Sequence, residues 1–261
     1  MYPFFELFSG VYIYTFWLTL TLCFFLFLWM LKRLCQRFGI NESFFFNRIL
    51  WYFLSVFIFS RLFYVIAHWD EFKFIKSPVE FFLMSDYNFS LMGAIFWYLF
   101  VLFISILLHG LRSGKYMDVS VLSFLFVSVV WYIWSFFGGQ VYGRDTNFWI
   151  EVLYQSVISP VPYEVPVFPL AIIYAILSFI LFSWLYMIAM FVKVRGIIWY
   201  SWIILFSVFL FIFEIFNGKV DYFLKLWIWL NFTQICAIVL IWFGLRGLYR
   251  IYKTPTSSEI I

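Results

Sequence analysis

VFPLAIIYAILSFILFSWLYMIAMF, residues 167–191, contains no charged side chain from end to end. A helix needs about 20 apolar residues to cross the roughly 30 Å hydrocarbon core of a bilayer, so this run is long enough to span one. Working outward, similar runs occupy 9–31, 44–67, 88–109, 118–137, 197–216 and 226–244, which makes seven expected spans. The whole chain agrees with this reading. Its 261 residues are 66% hydrophobic, 28% aromatic and 11% charged, with a mean hydropathy of +1.00. A soluble domain carries roughly 45–50% apolar and about 25% charged residues, so too little polar surface exists here to cover a globule in water. The expected fold class is an all-α integral membrane protein built as a single polytopic domain over 1–261; disorder, secretion and cytosolic catalysis are excluded.

The segments between the runs have two kinds of composition. Lys32, Arg33 and Arg37, then Arg112 and Lys115, then Lys193 and Arg195, and finally a 245–261 tail with Arg246, Arg250 and Lys253, are basic. They alternate with 68–87, 138–166 and 217–225, which are mixed in sign and hold Asp70, Glu71, Glu80, Asp86, Asp145, Glu151, Glu164 and Asp221. Lys and Arg are retained on the cytoplasmic side, so the N-terminus is expected outside and the C-terminus, a cytoplasmic tail, inside. The longer segments then lie outside, as an arm over 68–87 and a cap over 138–166. The cap is punctuated by Gly138, Gly139, Gly143, Pro160, Pro162 and Pro166 around an apolar hairpin from Phe148 to Ile158. The working face is expected to be the outer one. No internal repeat is evident. The net charge of +4 comes with no long basic run, so no nucleic-acid partner is expected. Cys23, Cys35 and Cys236 show no metal or disulfide spacing and read as packing residues, with Cys35 in a basic loop. Glu6 is the sole charge before Lys32, unlike a signal peptide, so the first span is expected to stay in the mature protein.

Ionisable groups within spans cost several kcal/mol unless they meet protein, water or a polar ligand. Three stand out: Arg61 in the second span, near enough to its outer end for the guanidinium to reach the interface; Arg144, which opens the cap after Gly143; and Glu214, near the outer end of the sixth span. One reading makes them buried pairs or snorkelling side chains that hold the bundle together. The other makes them a site for an anionic headgroup, since arginine forks match phosphate oxygens in bidentate geometry. His68 reads as an interfacial anchor beside Trp69, and His109 falls at the opposite, inner side. No Ser-His-Asp order, phosphate loop or HExxH occurs, which leaves hydrolase, nucleotide and zinc chemistry without support. The spans hold too few polar residues to line a transport pore.

Gly143-Arg144-Asp145-Thr146-Asn147-Phe148, followed by Glu151, resembles the Gly-Arg-x-Gly-Asn-Phe-x-Asn-Gly-Glu signature of the prolipoprotein diacylglyceryl transferase family. Ser60-Arg61-Leu62-Phe63-Tyr64-Val65 is similar to its Ala-Arg-Leu-x-Tyr-Val segment, and Ser90-Leu91-Met92-Gly93-Ala94 falls where the family has Ser-x-His-Gly-Gly. Phe213-Glu214-Ile215-Phe216 resembles its Val-Glu-Phe-Phe, Asn231-Phe232-Thr233-Gln234-Ile235 its Ser-Met-Gly-Gln-x, and Tyr14 fits the Arg-Trp-Tyr-Gly of the first span. The resemblance implies an enzyme of the bacterial cytoplasmic membrane that transfers diacylglyceryl from phosphatidylglycerol to a lipobox cysteine, releasing glycerol phosphate without cofactor or metal. Its partners would be phosphatidylglycerol or another anionic phospholipid and a prolipoprotein signal segment. It implies that Arg144 holds the phosphate, that Asn147 orients the headgroup, and that Glu214 with Tyr14 organises the polar cavity. Arg61 would support the arm, and Glu151 would take part in lipid binding although it falls one residue short of the family spacing. Two positions depart from the pattern: Met92 stands where the family has its histidine, and Leu210 where it has a second phosphate-binding arginine. The motif His-Pro-Ser-Gln-Leu-Tyr-Glu survives only as Phe168-Pro169. Two readings follow, a transferase with rearranged chemistry or a catalytically silent paralogue that binds phospholipid or joins a membrane complex.

Overall fold

The computed structural model describes residues 4–8, 11–67, 89–146, 150–154, 165–192, 194–218 and 232–253. A hairpin of β1 (Phe4–Phe8) and β2 (Val11–Tyr14) leads into α1 (Thr15–Phe38). The one-turn α2 (Ser43–Phe46) precedes α3 (Ile49–Ala67), and α4 (Leu91–Leu108) and α5 (Ser113–Gly138) follow. Then β3 (Val152–Leu153) pairs antiparallel with β4 (Pro166–Val167) ahead of α6 (Leu170–Phe191) and α7 (Ile197–Phe213). A 3-10 turn, Glu214–Phe216, extends α7, and α8 (Phe232–Lys253) ends the described chain.

Each of the seven expected runs contains one long apolar helix. Six of these are long and apolar enough to cross a membrane, and Gly93–Leu108 within α4 is a shorter one. The chain is thus a largely helical, multi-pass membrane protein. Several boundaries differ from the sequence reading. The first run does not begin as helix: Val11, Tyr12, Ile13 and Tyr14 are β-branched or aromatic and pair with Phe4–Phe8 instead. At its other end α1 carries Lys32, Arg33 and Arg37 within the helix, because Leu31, Leu34 and Cys35 continue its buried stripe at helical spacing. Cys35 is therefore a fully buried helix residue and not part of a loop. The helix stops at Gly39, whose φ of 63° lets the Ile40 N–H turn back to the Cys35 carbonyl at 2.9 Å. Likewise α8 continues to Lys253, so 245–253 is helical where a tail was expected. The 68–87 arm with His68 lies outside the described residues, as do 219–231, 254–261 and most of the Phe148–Ile158 hairpin.

α5 is the centre of the bundle. It packs against α1, α4, α6 and α7, and 56% of its apolar window is buried, compared with 17% for α8. Its buried Ser120, Ser123, Ser128 and Ser135 are small enough to let neighbouring helices approach closely. α3 packs on α4 and α8 on α7 in the same way: a Cβ on Gly93 would lie 2.6 Å from Phe63 Cβ, and one on Gly247 would enter the Tyr200 ring.

Contacts between helix termini define two ends. At one, Arg48 meets His109, Arg37 meets Tyr186 and Asp118 meets the start of α7. This end carries Lys32, Arg33, Arg37, Arg48, Arg112, Lys115, Arg195, Arg246, Arg250 and Lys253. At the opposite end the chain after α5, the approach to α6 and the turn after α7 converge.

Candidate polar site at one end of the bundle

The segment Tyr142–Thr146 leaves α5 after Gly139 and runs between two others as an irregular ladder. On one side Gly143 N–H donates to Phe168 O at 2.8 Å, Phe168 N–H to Arg144 O at 3.0 Å and Thr146 N–H to Pro166 O at 3.0 Å. On the other side Arg144 N–H donates to Phe216 O at 2.8 Å and Gly218 N–H to Tyr142 O at 3.1 Å. With β3 on the far edge of β4, the order is Val152–Leu153, Pro166–Phe168, Tyr142–Thr146, Phe216–Gly218. The expected cap is therefore partly a small sheet, and it includes a strand-like segment from beyond α7 that the sequence reading assigned to a separate loop.

Gly143 is required by this crowding. A Cβ there would lie 2.5 Å from Phe168 Cβ and 2.6 Å from Phe168 O, and one on Gly218 would lie 2.5 Å from Gly143 O. Phe168 and Phe216 stack across the ladder with ring centroids 5.0 Å apart.

The ladder brings two of the expected site residues together. Arg144 is exposed, and its Nε donates to the backbone carbonyl of Asn217 at 3.3 Å. Glu214 is buried, with 5% of its surface exposed, and its Oε1 accepts from Asn217 Nδ2 at 3.1 Å. Asn217 thus bonds to both, one through its main chain and the other through its side chain. Its own N–H donates to Glu214 O at 3.1 Å, which fixes the turn. A buried carboxylate in this setting needs donors, and Asn217 supplies one. Tyr132 and Tyr174 are buried side by side, with ring centroids 5.1 Å apart. In the ladder, burial, and secondarily the Asp145 carboxylate, pushes the Tyr142 phenol up from its ordinary value.

The other expected residues are placed elsewhere or fall outside the description. Arg61 is buried on α3 at 7% exposure, with its guanidinium 5.6 Å from the Tyr64 ring centre, and α3 packs mainly on α4. Glu151 is exposed at the entry to β3. Tyr14 ends β2 opposite Phe4, directly before α1. Asn147 lies outside the described residues. Met92 occupies the first turn of α4, which Ser90 caps by accepting the Gly93 N–H at 3.2 Å. Leu210 is buried in the apolar core, so packing has replaced any charge at that position. Gln234, which appeared in the sequence only within a motif, is buried and donates from Nε2 to Phe211 O at 3.2 Å, satisfying a last-turn carbonyl of α7 just before Glu214. Asn217 was missed outright, and its one signal was the Asn217-Gly218 dipeptide, a turn former.

Apolar space lies within the bundle. Two spaces of about 230 and about 250 Å³ lie between α1, α3, α4 and α5 and share Leu20, Cys23 and Phe124 in their walls. The former is also lined by Ser60, Ser90 and Tyr132.

Fold and site together define a multi-pass membrane protein with a polar, arginine-bearing site at one end of its helices. Residues 3–250 match the family described as prolipoprotein diacylglyceryl transferase, and the chain belongs to that family. No curated protein matches the chain.

Proposed function

We propose that the chain is a lipid-modifying transferase that moves the diacylglyceryl group of phosphatidylglycerol to the thiol of a lipobox cysteine. The observation that carries the proposal is the Arg144–Asn217–Glu214 arrangement, in a bundle that also holds apolar space between α1, α3, α4 and α5. In this reading the exposed guanidinium of Arg144 takes the phosphate, and that space takes acyl chain. The thiol sulfur forms a bond to the terminal glyceryl carbon, the carbon–oxygen bond to phosphate breaks, and glycerol phosphate leaves while the thiol proton passes to a base. Arg144 stabilises the charge that grows on the leaving phosphate. Glu214 and Asn217 hold the ladder that presents Arg144; by the family resemblance Asn147 orients the headgroup and Tyr14, with Glu214, organises the polar cavity.

The same reading makes the chain one domain of seven spans in a bacterial cytoplasmic membrane, with the cation-rich end inside and the ladder and the 68–87 segment on the outer side. Met92 and Leu210 favour a second reading, a silent paralogue that keeps the phospholipid site without turnover, because methionine cannot accept the thiol proton. The deciding experiment incubates purified protein and its Arg144→Ala variant with labelled phosphatidylglycerol and a lipobox peptide. Thioether-linked diacylglyceryl peptide and glycerol phosphate that depend on Arg144 support the transferase. Lipid bound by the parent with no product supports the silent form. Equal behaviour of parent and variant in both binding and transfer removes Arg144 from the site.

A further inference from the structure

The opposite end of α5 and α7 holds a second polar arrangement. Asp118 is buried at 7% exposure, and both its carboxylate oxygens are engaged by the first turn of α7: Oδ2 accepts the Gly196 N–H at 2.7 Å and Oδ1 the Trp199 N–H at 2.9 Å. The close fit is set by Gly114, where a Cβ would lie 2.8 Å from Gly196 N. Beside Asp118 is a cavity of about 140 Å³ walled by Lys115 and Arg195 together with Phe38, Val192 and Ile198. Lys115 is half-buried, and among the described residues no carboxylate pairs with its ammonium. The one carboxylate in the wall already serves α7. The cavity therefore has room and two cationic side chains in its wall, at the end of the bundle where the cations gather.

We propose that this cavity binds a phosphate group, held by Lys115 and Arg195. An arginine fork and a lysine point charge are a matched pair of phosphate ligands, and an ammonium withdrawn from water gains most from an anion. The phosphate is that of an anionic phospholipid headgroup in the adjacent leaflet or of a free phosphate ion. The site is separate from Arg144 and Glu214: Gly196 and Glu214 bracket α7, which at 1.5 Å per residue places them roughly 27 Å apart. It does not depend on the transferase reading.

The test uses the full-length protein, delipidated in detergent, with Lys115→Gln, Lys115→Arg and, as a control at the same end, Lys253→Gln. Native mass spectrometry measures lipid retained after exposure to vesicles of phosphatidylcholine with or without phosphatidylglycerol; separately, thermal unfolding is followed with inorganic phosphate and no lipid. Selective retention of phosphatidylglycerol that falls about fivefold in Lys115→Gln, with Lys115→Arg and Lys253→Gln like the parent, establishes a headgroup site. Stabilisation by inorganic phosphate that Lys115→Gln loses, without lipid selectivity, establishes a free-anion site. The proposal is overturned if Lys115→Gln matches the parent in both assays. Should that variant fail to fold, a parent that neither prefers phosphatidylglycerol nor responds to phosphate overturns it equally.

Discussion

Asn217 donates from its side-chain amide to the buried carboxylate of Glu214 at 3.1 Å, while its carbonyl accepts from the guanidinium of Arg144 at 3.3 Å. The charged pair is thus coupled through a neutral residue, and the geometry of Arg144 depends on a turn that Glu214 itself anchors.

Asn217→Ala keeps the carbonyl that Arg144 uses and removes the donor to Glu214. A hydrogen bond to a charged group is worth about 1.5–3 kcal/mol, so activity or phospholipid affinity should fall about 10- to 100-fold through misplacement of the ladder. Asn217→Asp should be worse, because it sets a second carboxylate against the first. The comparison of the two variants in phospholipid binding checks this, and a loss in Asn217→Ala alone, with the isosteric Asn217→Asp like the parent, would mean that only bulk matters at this position.

Gly143→Ala places a methyl group 2.5 Å from Phe168 Cβ. The ladder must open to admit it, at a cost of about 1–3 kcal/mol, and Arg144, one residue on, moves with it. A lowered unfolding midpoint in detergent together with weakened phospholipid binding is expected; unchanged binding would separate Arg144 from the ladder.

At the other end, Asp118→Ala strips two acceptors from the start of α7 and leaves Gly196 and Trp199 N–H groups without them. Losing a cap costs about 1–2 kcal/mol, and burying the freed donors adds a comparable amount. Asp118→Asn, which keeps one oxygen acceptor, should lose about half as much. Thermal unfolding of the three proteins side by side orders them.

Tyr154 provides a pH signature in the cap. It is 1% exposed, its hydroxyl donates to Phe136 O at 3.4 Å, and burial pushes its phenol up to about 12. An unfolded tyrosine ionises near about 10, so between these values the unfolded chain releases a proton that the folded chain keeps. The stabilisation is complete below about pH 10 and is lost as pH rises toward 12. Tyr154→Phe should flatten that part of the alkaline decline, as measured by unfolding midpoints across the range; an unchanged decline would assign it to other tyrosines.

The spans were legible, and Arg144 and Glu214 stood out as candidates, because hydrocarbon length and the cost of charge near a membrane leave strong marks on sequence. Boundaries were less legible for a physical reason. Leu31, Leu34 and Cys35 extend α1 through its basic residues because burial on one face outweighs charge on the other, and Val11–Tyr14 is as apolar as a span while preferring to pair as a strand. The ladder was hidden because it is made by main-chain bonds between Gly143, Phe168 and Phe216, residues far apart in sequence whose side chains say nothing of one another. Asn217 and Asp118 escaped for a similar reason: an uncharged amide in a turn and an acid at a helix start look ordinary until their partners are known.

Met92 decides between the two readings of function. It lies in the first turn of α4, two residues after the Ser90 cap and directly before Gly93, whose close approach to Phe63 fixes α4 on α3. The backbone at this position is therefore held by its neighbours on both sides, and a substitution at 92 need not move it. A positioned base contributes about 10²- to 10⁴-fold to proton transfer. If the chain retains the phosphate site and lacks only a base, Met92→His should raise diacylglyceryl transfer by a factor within that range, with a rate that climbs as pH passes the imidazole value near about 6.5. Steady-state transfer to a lipobox peptide across pH 5.5 to 8 measures both features, taking about that interval to bracket the imidazole. A gain with that pH profile means that chemistry was lost at one position on an intact scaffold. No gain, in a variant that still binds phosphatidylglycerol as the parent does, places the deficit at the apolar Leu210 position as well, and the chain is then a binder whose packed core has closed over the second phosphate contact.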